Sequence, residues 1–292
     1  MRDALITDLS ALGHRVVASV DPRFPLRSAP AGATQRPPLP VSRLLDDVDA
    51  VWLIAPETDR CHERLAAVIE RRGLRLLGSS SAAIRLASDK ARLPALLQRS
   101  GVPHPSTRRL GSAADAEAVG FPVVVKPVRG AGCAGVTLVG GPRGLPRRDA
   151  PQVVQAFVPG VSASVSLLVS RRHAVVLAVN RQRLSAGPRF AYRGGSTPFD
   201  HPLAARAGSH SRAACRAIPG LRGYVGVDVV LGAGEAWVIE INPRLTTSYL
   251  GLRASLDRNL AALALDACSG RLPRRPVPRC RARFDSSGRV RR

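Results

Sequence analysis

The chain has 292 residues, of which 45% are hydrophobic and 22% are charged, a balance that excludes a disordered chain and allows a sizeable buried core. Its net charge of +23 rests on 44 basic residues, all of them arginine except Lys90 and Lys126. The arginines are scattered and form no aromatic-studded stripe of the kind that stacks bases. We therefore expect no specific nucleic-acid partner, although non-specific binding to polyanions at low salt remains an alternative.

The cysteines and the apolar segments indicate the cellular setting. The five cysteines are widely spaced and form no C-x-x-C pair, so neither a zinc site nor a disulfide framework is predicted and a cytoplasmic location is the default. The sequence contains no signal-peptide pattern and no apolar run long enough to span a bilayer, which predicts no membrane partner. The oligomeric state stays open, with a homodimer as one option.

Residues 1–87 predict a small parallel α/β unit. Its elements are a helix, a strand, a proline-rich irregular segment, a second strand, a helix and a third strand, at residues 1–13, 15–20, 21–40, 50–54, 61–72 and 75–77. Such units usually begin with a strand, so we hypothesise that a first strand precedes this helix and is missing from the sequence. Glu57 and Asp59 follow a strand at the end where open α/β sheets bind ligands, and they could hold a substrate amine. The alternative is a turn that caps the next helix.

The region 88–157 contains both lysines. Lys90 belongs to Ser88-Asp89-Lys90, which is predicted to open a helix that runs to about Ser100, and the strand 121–127 delivers Lys126 near its end. Lysine is a compact point charge, so its retention at two places in an arginine-rich chain suggests a phosphate cleft, with chance as the alternative. The glycine-rich loop 128–135 lies between two strands, so it is neither a Rossmann nor a Walker loop. Its backbone N–H groups could wrap phosphate oxygens, or it could be a plain turn.

The region 158–268 predicts a second α+β unit, followed by an arginine- and proline-rich tail at 269–292 that is loosely ordered. A strand at 152–158 is broken by Pro159-Gly160, and a hairpin follows at 164–169 and 174–180. A polar loop at 185–202 and a helix at 204–218 lead to a further hairpin. A final helix is predicted at 256–268.

The hairpin formed by Tyr224–Leu231 and Ala236–Asn242 carries the sharpest chemical signal. If its turn centres on Gly234, Asp228 lies opposite Glu240, and Asn242 shares their face because strand side chains alternate. Two facing carboxylates repel unless a cation lies between them, and oxygen ligands of this type suit Mg²⁺. A solvated strand face is the alternative. The opposite, apolar face is predicted to comprise Val225, Val227, Val229, Leu231, Trp237, Ile239 and Ile241.

These motifs, in this order, resemble those of the ATP-grasp superfamily of carboxylate–amine ligases, over roughly residues 88–252. The motifs are a lysine at 90, Val-Lys-Pro with a glycine loop, Q-x-F-V-P-G, and D…E-x-N. Residues 239–249, with Asn180-Arg-Gln182, resemble those of a narrower group, the tyramine–glutamate ligases of methanofuran biosynthesis and their bacterial relatives linked to methylofuran. The resemblance implies an α/β fold in which two α+β subdomains clasp ATP behind the N-terminal unit. It implies ATP and Mg²⁺, or Mn²⁺, as cofactors.

The resemblance also implies roles for individual residues. Those matched to the nucleotide site are Lys90 and Lys126 at the phosphates, Gly130, Gly132 and Gly135 in the loop that closes over them, and Gln155, Ala156, Phe157 and Val158 beside adenine. Ser162 stands where the family often has an acid for the ribose, and the hinge also lacks its usual acid. Asp228, Glu240 and Asn242 match the magnesium ligands, and Arg244 and Lys126 match catalytic positions.

The implied reaction is the ligation of a small-molecule carboxylate, with glutamate as the family-level guess, to an amine through an acyl phosphate. Thr246, Thr247, Tyr192 and Arg193 are candidate substrate residues, with an ordinary polar turn as the alternative for the threonines. A non-catalytic ATP-binding protein is the second interpretation. A charge-driven nucleic-acid binder is the third.

Overall fold

The computed structural model describes residues 1–27, 30, 33–147, 150–171, 173–185, 187–274 and 277–292. Short parts of the predicted irregular segment at 21–40, of the polar loop at 185–202, of the turn between the strands 164–169 and 174–180 and of the tail therefore lie outside the described residues.

In the described part of the N-terminal unit, four short strands pair in two separate parallel sheets, β1 with β2 and β3 with β4. Its elements are α1 (Arg2–Ser10), β1 (Val16–Ser19), β2 (Ala33–Arg36), α2 (Val41–Leu44), β3 (Ala50–Val51), α3 (Cys61–Arg71) and β4 (Arg75–Leu76). The prediction of an irregular segment up to residue 40 is wrong at β2, which the proline-rich composition around it concealed. The hypothesis of a preceding strand stays a prediction.

A four-stranded antiparallel sheet follows, with the strand order β5-β8-β6-β7. Its region comprises α4 (Ser81–Ala87), α5 (Leu93–Arg99), β5 (Thr107–Arg109), α6 (Ala113–Val119), β6 (Val123–Pro127), β7 (Thr137–Val139) and β8 (Gln152–Ala156). The predicted helix from Ser88 to Ser100 is wrong at its start. Lys90 lies in the connection between α4 and α5, where its backbone N–H donates to the carbonyl of Val128 and not to a helical partner.

A seven-stranded sheet in the order β13-β12-β9-β10-β11-β14-β15 forms the largest part of the molecule, and all of its pairings are antiparallel. The elements are β9 (Val161–Val169), β10 (Ala174–Leu184), β11 (Tyr192–Thr197), α7 (Ala204–Arg216), β12 (Gly223–Gly232), β13 (Glu235–Asn242), α8 (Ser248–Ser255), α9 (Leu260–Cys268), β14 (Ala282–Asp285) and β15 (Val290–Arg291). The predicted hairpins are confirmed.

Two sequence predictions fail in this sheet. The polar segment at 185–202 contains the strand β11, and the tail supplies β14 and β15 instead of being loosely ordered throughout. Phe284 explains the second failure, because it is 2% exposed, its ring packs where Gly195 and Gly251 have no side chain, and its backbone passes close to Gly194. A Cβ at Gly251 would lie 2.5 Å from that ring, so the three glycines create the space that the tail fills.

Helices cover both faces of the large sheet. On one face, α4, α5 and α7 pack on side chains such as Val165, Leu167 and Val227. On the other face, α1, α8 and α9 pack on Leu168 and Leu177. The part of this second face beyond the helices carries polar residues and faces the four-stranded sheet.

Candidate active site

A cavity of about 380 Å³ lies between the four-stranded sheet and the polar part of the seven-stranded sheet. Most of the residues singled out from the sequence line it. Those from the smaller sheet and its connections are Lys90, Lys126, Gly130, Gly132, Gln155, Ala156, Phe157 and Val158. Those from the larger sheet are Ser162, Tyr192, Asp228, Glu240, Asn242, Arg244, Thr246 and Thr247.

Asp228 and Glu240 are direct cross-strand partners on β12 and β13, as predicted, although the turn pairs Gly232 with Glu235 and is not centred on Gly234. The side-chain amides of Gln182 and Asn242 donate to the two oxygens of Asp228, at 2.8 and 3.2 Å. Burial and the facing charge of Glu240 raise the pKa of Asp228 well above its ordinary value. Burial would also raise the pKa of Glu240, but Lys90 and Lys126 outweigh it and lower that pKa to about 2.

The second half of the hairpin differs from the predicted alternation because a β-bulge shifts the register between Asp228 and Val229. Val229 pairs with Val238, so Ile239 is the extra residue. The predicted apolar face is therefore wrong at Trp237 and Ile239: Ala236 and Val238 join the core instead, whereas Ile239 lines the cavity.

Lys126 is almost completely buried and donates from Nζ to the side-chain oxygen of Gln155 at 2.8 Å. The amide nitrogen of Gln155 in turn donates to the hydroxyl of Thr107 at 2.8 Å, which fixes the orientation of the amide. Burial lowers the pKa of Lys126 to about 8, although the charge of Glu240 opposes this shift. The ammonium group is thus held within the cavity, close to the carboxylates.

Lys90 joins the glycine-rich loop to the carboxylate pair. Its Nζ lies 3.2 Å from Glu240 Oε2 and donates to the carbonyl of Gly130 at 3.3 Å. Gly132 and Gly135 have φ of +67° and +69°, as glycine readily does, and Cys133 has φ of +65°. Burial raises the pKa of the Cys133 thiol to about 11.

Arg129 anchors the start of this loop to neighbouring segments. Its guanidinium donates to Ser88 Oγ at 3.0 Å and to Asp89 Oδ2 at 3.1 Å, and it lies 3.7 Å from Glu63 of α3. The loop is therefore tied at its root to the N-terminal unit.

Arg244 forms a bidentate ion pair with Glu57, with Nε and Nη2 at 2.7 and 2.8 Å from the two carboxylate oxygens. The Glu57 side chain is 4% exposed and that of Arg244 is 14% exposed. Glu57 pairs with Arg244 and is absent from the cavity lining, whereas Arg244 lines the cavity.

Three other residues singled out from the sequence stand apart from the lining. Asp59 and Arg193 are exposed, and Gly135 packs against Pro127. Tyr192, by contrast, lines the cavity, and burial raises the pKa of its phenol.

Several lining residues received no site role in the sequence analysis. Gln182 is one: it was noted with Asn180, whose face of β10 it shares, but not as a partner of Asp228. Others are apolar residues from distant parts of the chain: Val124, Leu184, Phe190, Val229, Val230 and Ile239. Their types are those of ordinary core residues, so only the tertiary structure identifies them.

The donor set at the carboxylate face fits a magnesium ion. Within the described ranges no group of three or more His, Cys, Asp and Glu residues forms a metal site, so the candidate set is two carboxylates and the amide of Asn242. Mg²⁺ commonly takes one or two carboxylates and completes its shell with water and phosphate oxygens. A cation here would also relieve the repulsion between Asp228 and Glu240.

Among the described residues, no helix is both long and apolar enough to cross a bilayer.

Two family models match the chain. One is described as an ATP-grasp domain and matches residues 87–248, and the other is described as a pre-ATP-grasp domain and matches residues 9–84.

Curated relatives include ligases of two kinds. The chain is 33% identical over 220 residues to a tyramine–L-glutamate ligase of Methanocaldococcus fervens, a match that covers 75% of this chain and 66% of that enzyme. The counterpart in Methanocaldococcus jannaschii is 31% identical, and 60% of its length is covered. A D-alanine–D-alanine ligase of Gloeobacter violaceus is 30% identical, with 85% of this chain and 84% of that enzyme covered. The chain thus spans 66% and 60% of the lengths of the two tyramine–L-glutamate ligases.

Solved structures share the fold. An ATP-grasp superfamily protein from Archaeoglobus fulgidus superimposes with a TM-score of 0.76 at 26% identity, over 97% of this chain and 83% of that one. An L-amino acid ligase from Bacillus licheniformis superimposes with a TM-score of 0.75 at 19% identity, over 98% and 74% of the two chains.

Proposed function

This chain belongs to the ATP-grasp family, and we propose that it is an ATP-dependent ligase that joins a carboxylate to an amine through an acyl phosphate. One observation carries the proposal. Two lysines, two facing carboxylates and an arginine line a single cavity, and these are the charges that phosphoryl transfer from ATP to a carboxylate requires.

The nucleotide would lie between the two sheets. The apolar side chains of Phe157, Val158 and Ile239 would contact the base, and Ser162 would lie near the ribose. Lys90 and Lys126 would neutralise phosphate oxygens, and the backbone N–H groups of the glycine-rich loop would donate to them. Asp228, Glu240 and Asn242 would hold Mg²⁺, which when bound neutralises charge on the transferred phosphoryl group.

The acid and the amine would meet at the Arg244 end of the cavity. A carboxylate oxygen of the acid attacks the γ-phosphorus of ATP, the bond to the β-phosphate oxygen breaks, and ADP leaves. The amine then attacks the acyl carbon and expels phosphate, with loss of an amine proton. Arg244 would steady the acid and its phosphorylated form, while Thr246, Thr247 and Tyr192 would line the amine side. The protein chiefly positions the reactants and neutralises their charge.

For the substrates we propose L-glutamate and tyramine. This part of the proposal rests on the names of two curated relatives and on the likeness of residues 239–249 to that group.

A second candidate is ATP binding without ligation, which the division of the N-terminal strands into two separate sheets favours.

The test is ADP release across pairs of amino acids and amines, with L-glutamate plus tyramine among them. Glu240→Gln should lower the rate by about 10²–10³-fold, because it removes a charge-stabilising group. Glu235→Gln is the matched control on the same strand, at the turn end of β13, and it should retain the wild-type rate.

The outcomes separate the candidates. A wild-type rate in Glu240→Gln would refute the role of this carboxylate. If MgATP raises the melting temperature but no pair releases ADP, ATP binding without ligation is the better description.

A further inference from the structure

The ion pair between Glu57 and Arg244 joins residues 187 positions apart, one in the N-terminal unit and one just after β13. Both oxygens of Glu57 accept from the guanidinium, at 2.7 and 2.8 Å, and its side chain is 4% exposed. A carboxylate that is buried and doubly engaged has little capacity left for a substrate amine. The role suggested for Glu57 by its place in the sequence therefore needs revision.

The hydrogen bonds of Arg244 leave part of its guanidinium available. Arginine has five N–H donors. Two of them go to Glu57, and Nη1 donates to the carbonyl of Leu245 at 3.1 Å. Within the described part of the chain the guanidinium has no further hydrogen-bond partner, so two N–H donors remain. Arg244 lines the cavity and Glu57 does not, so a ligand would meet the guanidinium and not the carboxylate.

We infer that Glu57 is a positioning residue that holds Arg244 by one edge and presents the two remaining N–H donors to a carboxylate or phosphoryl group in the cavity. The inference rests on the proposed function, because it assigns a role within the same site. It makes the N-terminal unit part of the anion-binding end of the cavity. Planar groups with two oxygens suit the guanidinium fork, and an ammonium group cannot replace it.

The surroundings of Glu57 support this role. His62 lies beside the ion pair and is 3% exposed. Burial lowers its pKa to about 4, so the ring is neutral at pH 7 and does not compete with Arg244 for Glu57. The segment after Glu57 turns sharply through Asp59 and Arg60, whose φ values are +51° and +57°. Two consecutive non-glycine residues with positive φ are unusual, and such backbone strain is typical of segments that fix a functional side chain.

The first experiment uses inorganic phosphate as the probe, titrated calorimetrically into the protein saturated with MgADP. Wild type should bind phosphate, and Glu57→Gln, which keeps the side-chain volume but loses the charge, should bind it about tenfold more weakly. MgADP affinity should stay within about twofold, since the lysines and the glycine-rich loop are untouched. Arg244→Gln should lose phosphate binding, and the double variant should be no worse than Arg244→Gln alone.

Matched variants separate positioning from general damage. Asp46→Asn breaks the exposed ion pair with Arg72 in the same N-terminal unit and should bind phosphate as wild type does. If Glu57→Gln does not fold, Glu57→Asp keeps the charge and shortens the reach, and it should give an intermediate phosphate affinity. Unchanged phosphate affinity in the Glu57 variants, additive losses in the double variant, or no phosphate binding by wild type would each overturn the inference.

The second experiment measures steady-state ADP release with L-glutamate and tyramine. Positioning predicts that Glu57→Gln lowers kcat/KM for the acid and leaves KM for tyramine unchanged. A direct contact with the amine would instead raise KM for tyramine, and that result would overturn the inference. If wild type turns over no acid–amine pair, the proposed function fails, while the phosphate titration still decides the role of Glu57.

Discussion

Lys90 Nζ lies 3.2 Å from Glu240 Oε2, so a lysine shares the carboxylate face that suits a divalent cation. The same Nζ donates to the carbonyl of Gly130 in the glycine-rich loop. Lys90 thus connects the loop, the carboxylates and the cavity through a single ammonium group. A bound cation would compete with this ammonium for Glu240, whereas phosphate oxygens would attract it.

We expect Lys90→Met to make the protein more dependent on magnesium. The variant leaves Asp228 and Glu240 with less compensating charge, so stability without added metal should fall by about 2 kcal/mol. Addition of MgCl₂ alone should then raise the melting temperature more than in wild type, while MgATP binds more weakly. Differential scanning fluorimetry measures both effects, with Arg92→Met, an exposed neighbour, as control. Equal responses to MgCl₂ in Lys90→Met and wild type would contradict the assignment.

The bulge in β13 turns Val238 towards the core and Ile239 towards the cavity, so mutations of these two adjacent residues should have different effects. Val238 is fully buried in the core, so Val238→Ala should cost about 2 kcal/mol of unfolding free energy and leave MgATP affinity unchanged. Ile239 lines the cavity, so Ile239→Ala should weaken MgATP binding about tenfold with a smaller loss of stability. Urea unfolding and calorimetry report the two quantities. The reverse assignment of effects would mean that the strand has no bulge in solution.

His62 should make the free energy of unfolding depend on pH. Burial lowers its pKa from 6.5 to about 4 in the folded protein, so the unfolded chain binds the proton more tightly. Its contribution to stability is therefore fully present above pH 6.5 and is lost as the pH falls towards 4, by about 3 kcal/mol in total. Urea unfolding between pH 7 and pH 4 should show a flatter profile for His62→Gln than for wild type. His14→Gln, at an exposed site, should follow wild type, and a parallel profile for His62→Gln would argue against a buried neutral histidine.

Phe284 should stabilise the fold although it lies in the tail. Phe284→Ala removes a ring that is 2% exposed and should cost about 3–5 kcal/mol. Phe24→Ala makes the same chemical change at a residue that is 67% exposed, and it should change stability by less than about 0.5 kcal/mol. Similar unfolding free energies for the two variants would show that the tail contributes little.

Local patterns predicted the hairpin and the pairing of Asp228 with Glu240, but not the register of the half near the turn. The turn pairs Gly232 with Glu235, and without the bulge that register would set Asp228 opposite Ile239. Side-chain alternation failed at Ile239, since the run Ala-Trp-Val-Ile offers an apolar residue to either face. The N–H of Val238 donates to the carbonyl of Pro103, and this contact with the connection before β5 involves a segment that no local pattern reveals.

The tail misled the sequence analysis for a related reason. Arginine and proline dominate it and mask the short run that forms β14. Its anchor is the space above Gly194, Gly195 and Gly251, which belong to distant segments. The composition of such a segment indicates how well water solvates it. It does not show whether another part of the fold offers a surface on which the segment can pack.

The sequence by itself identified the groups that we propose carry the chemistry. Lys90 and Lys126 stand out by residue type, and Asp228, Glu240 and Asn242 by their spacing on one hairpin, while the roles proposed for them come from the resemblance to the ATP-grasp family. Only the tertiary structure decided how these groups are held. The pairing of Glu57 with Arg244 depends on how two segments 187 residues apart pack together, and no periodicity in the chain encodes a contact over that distance.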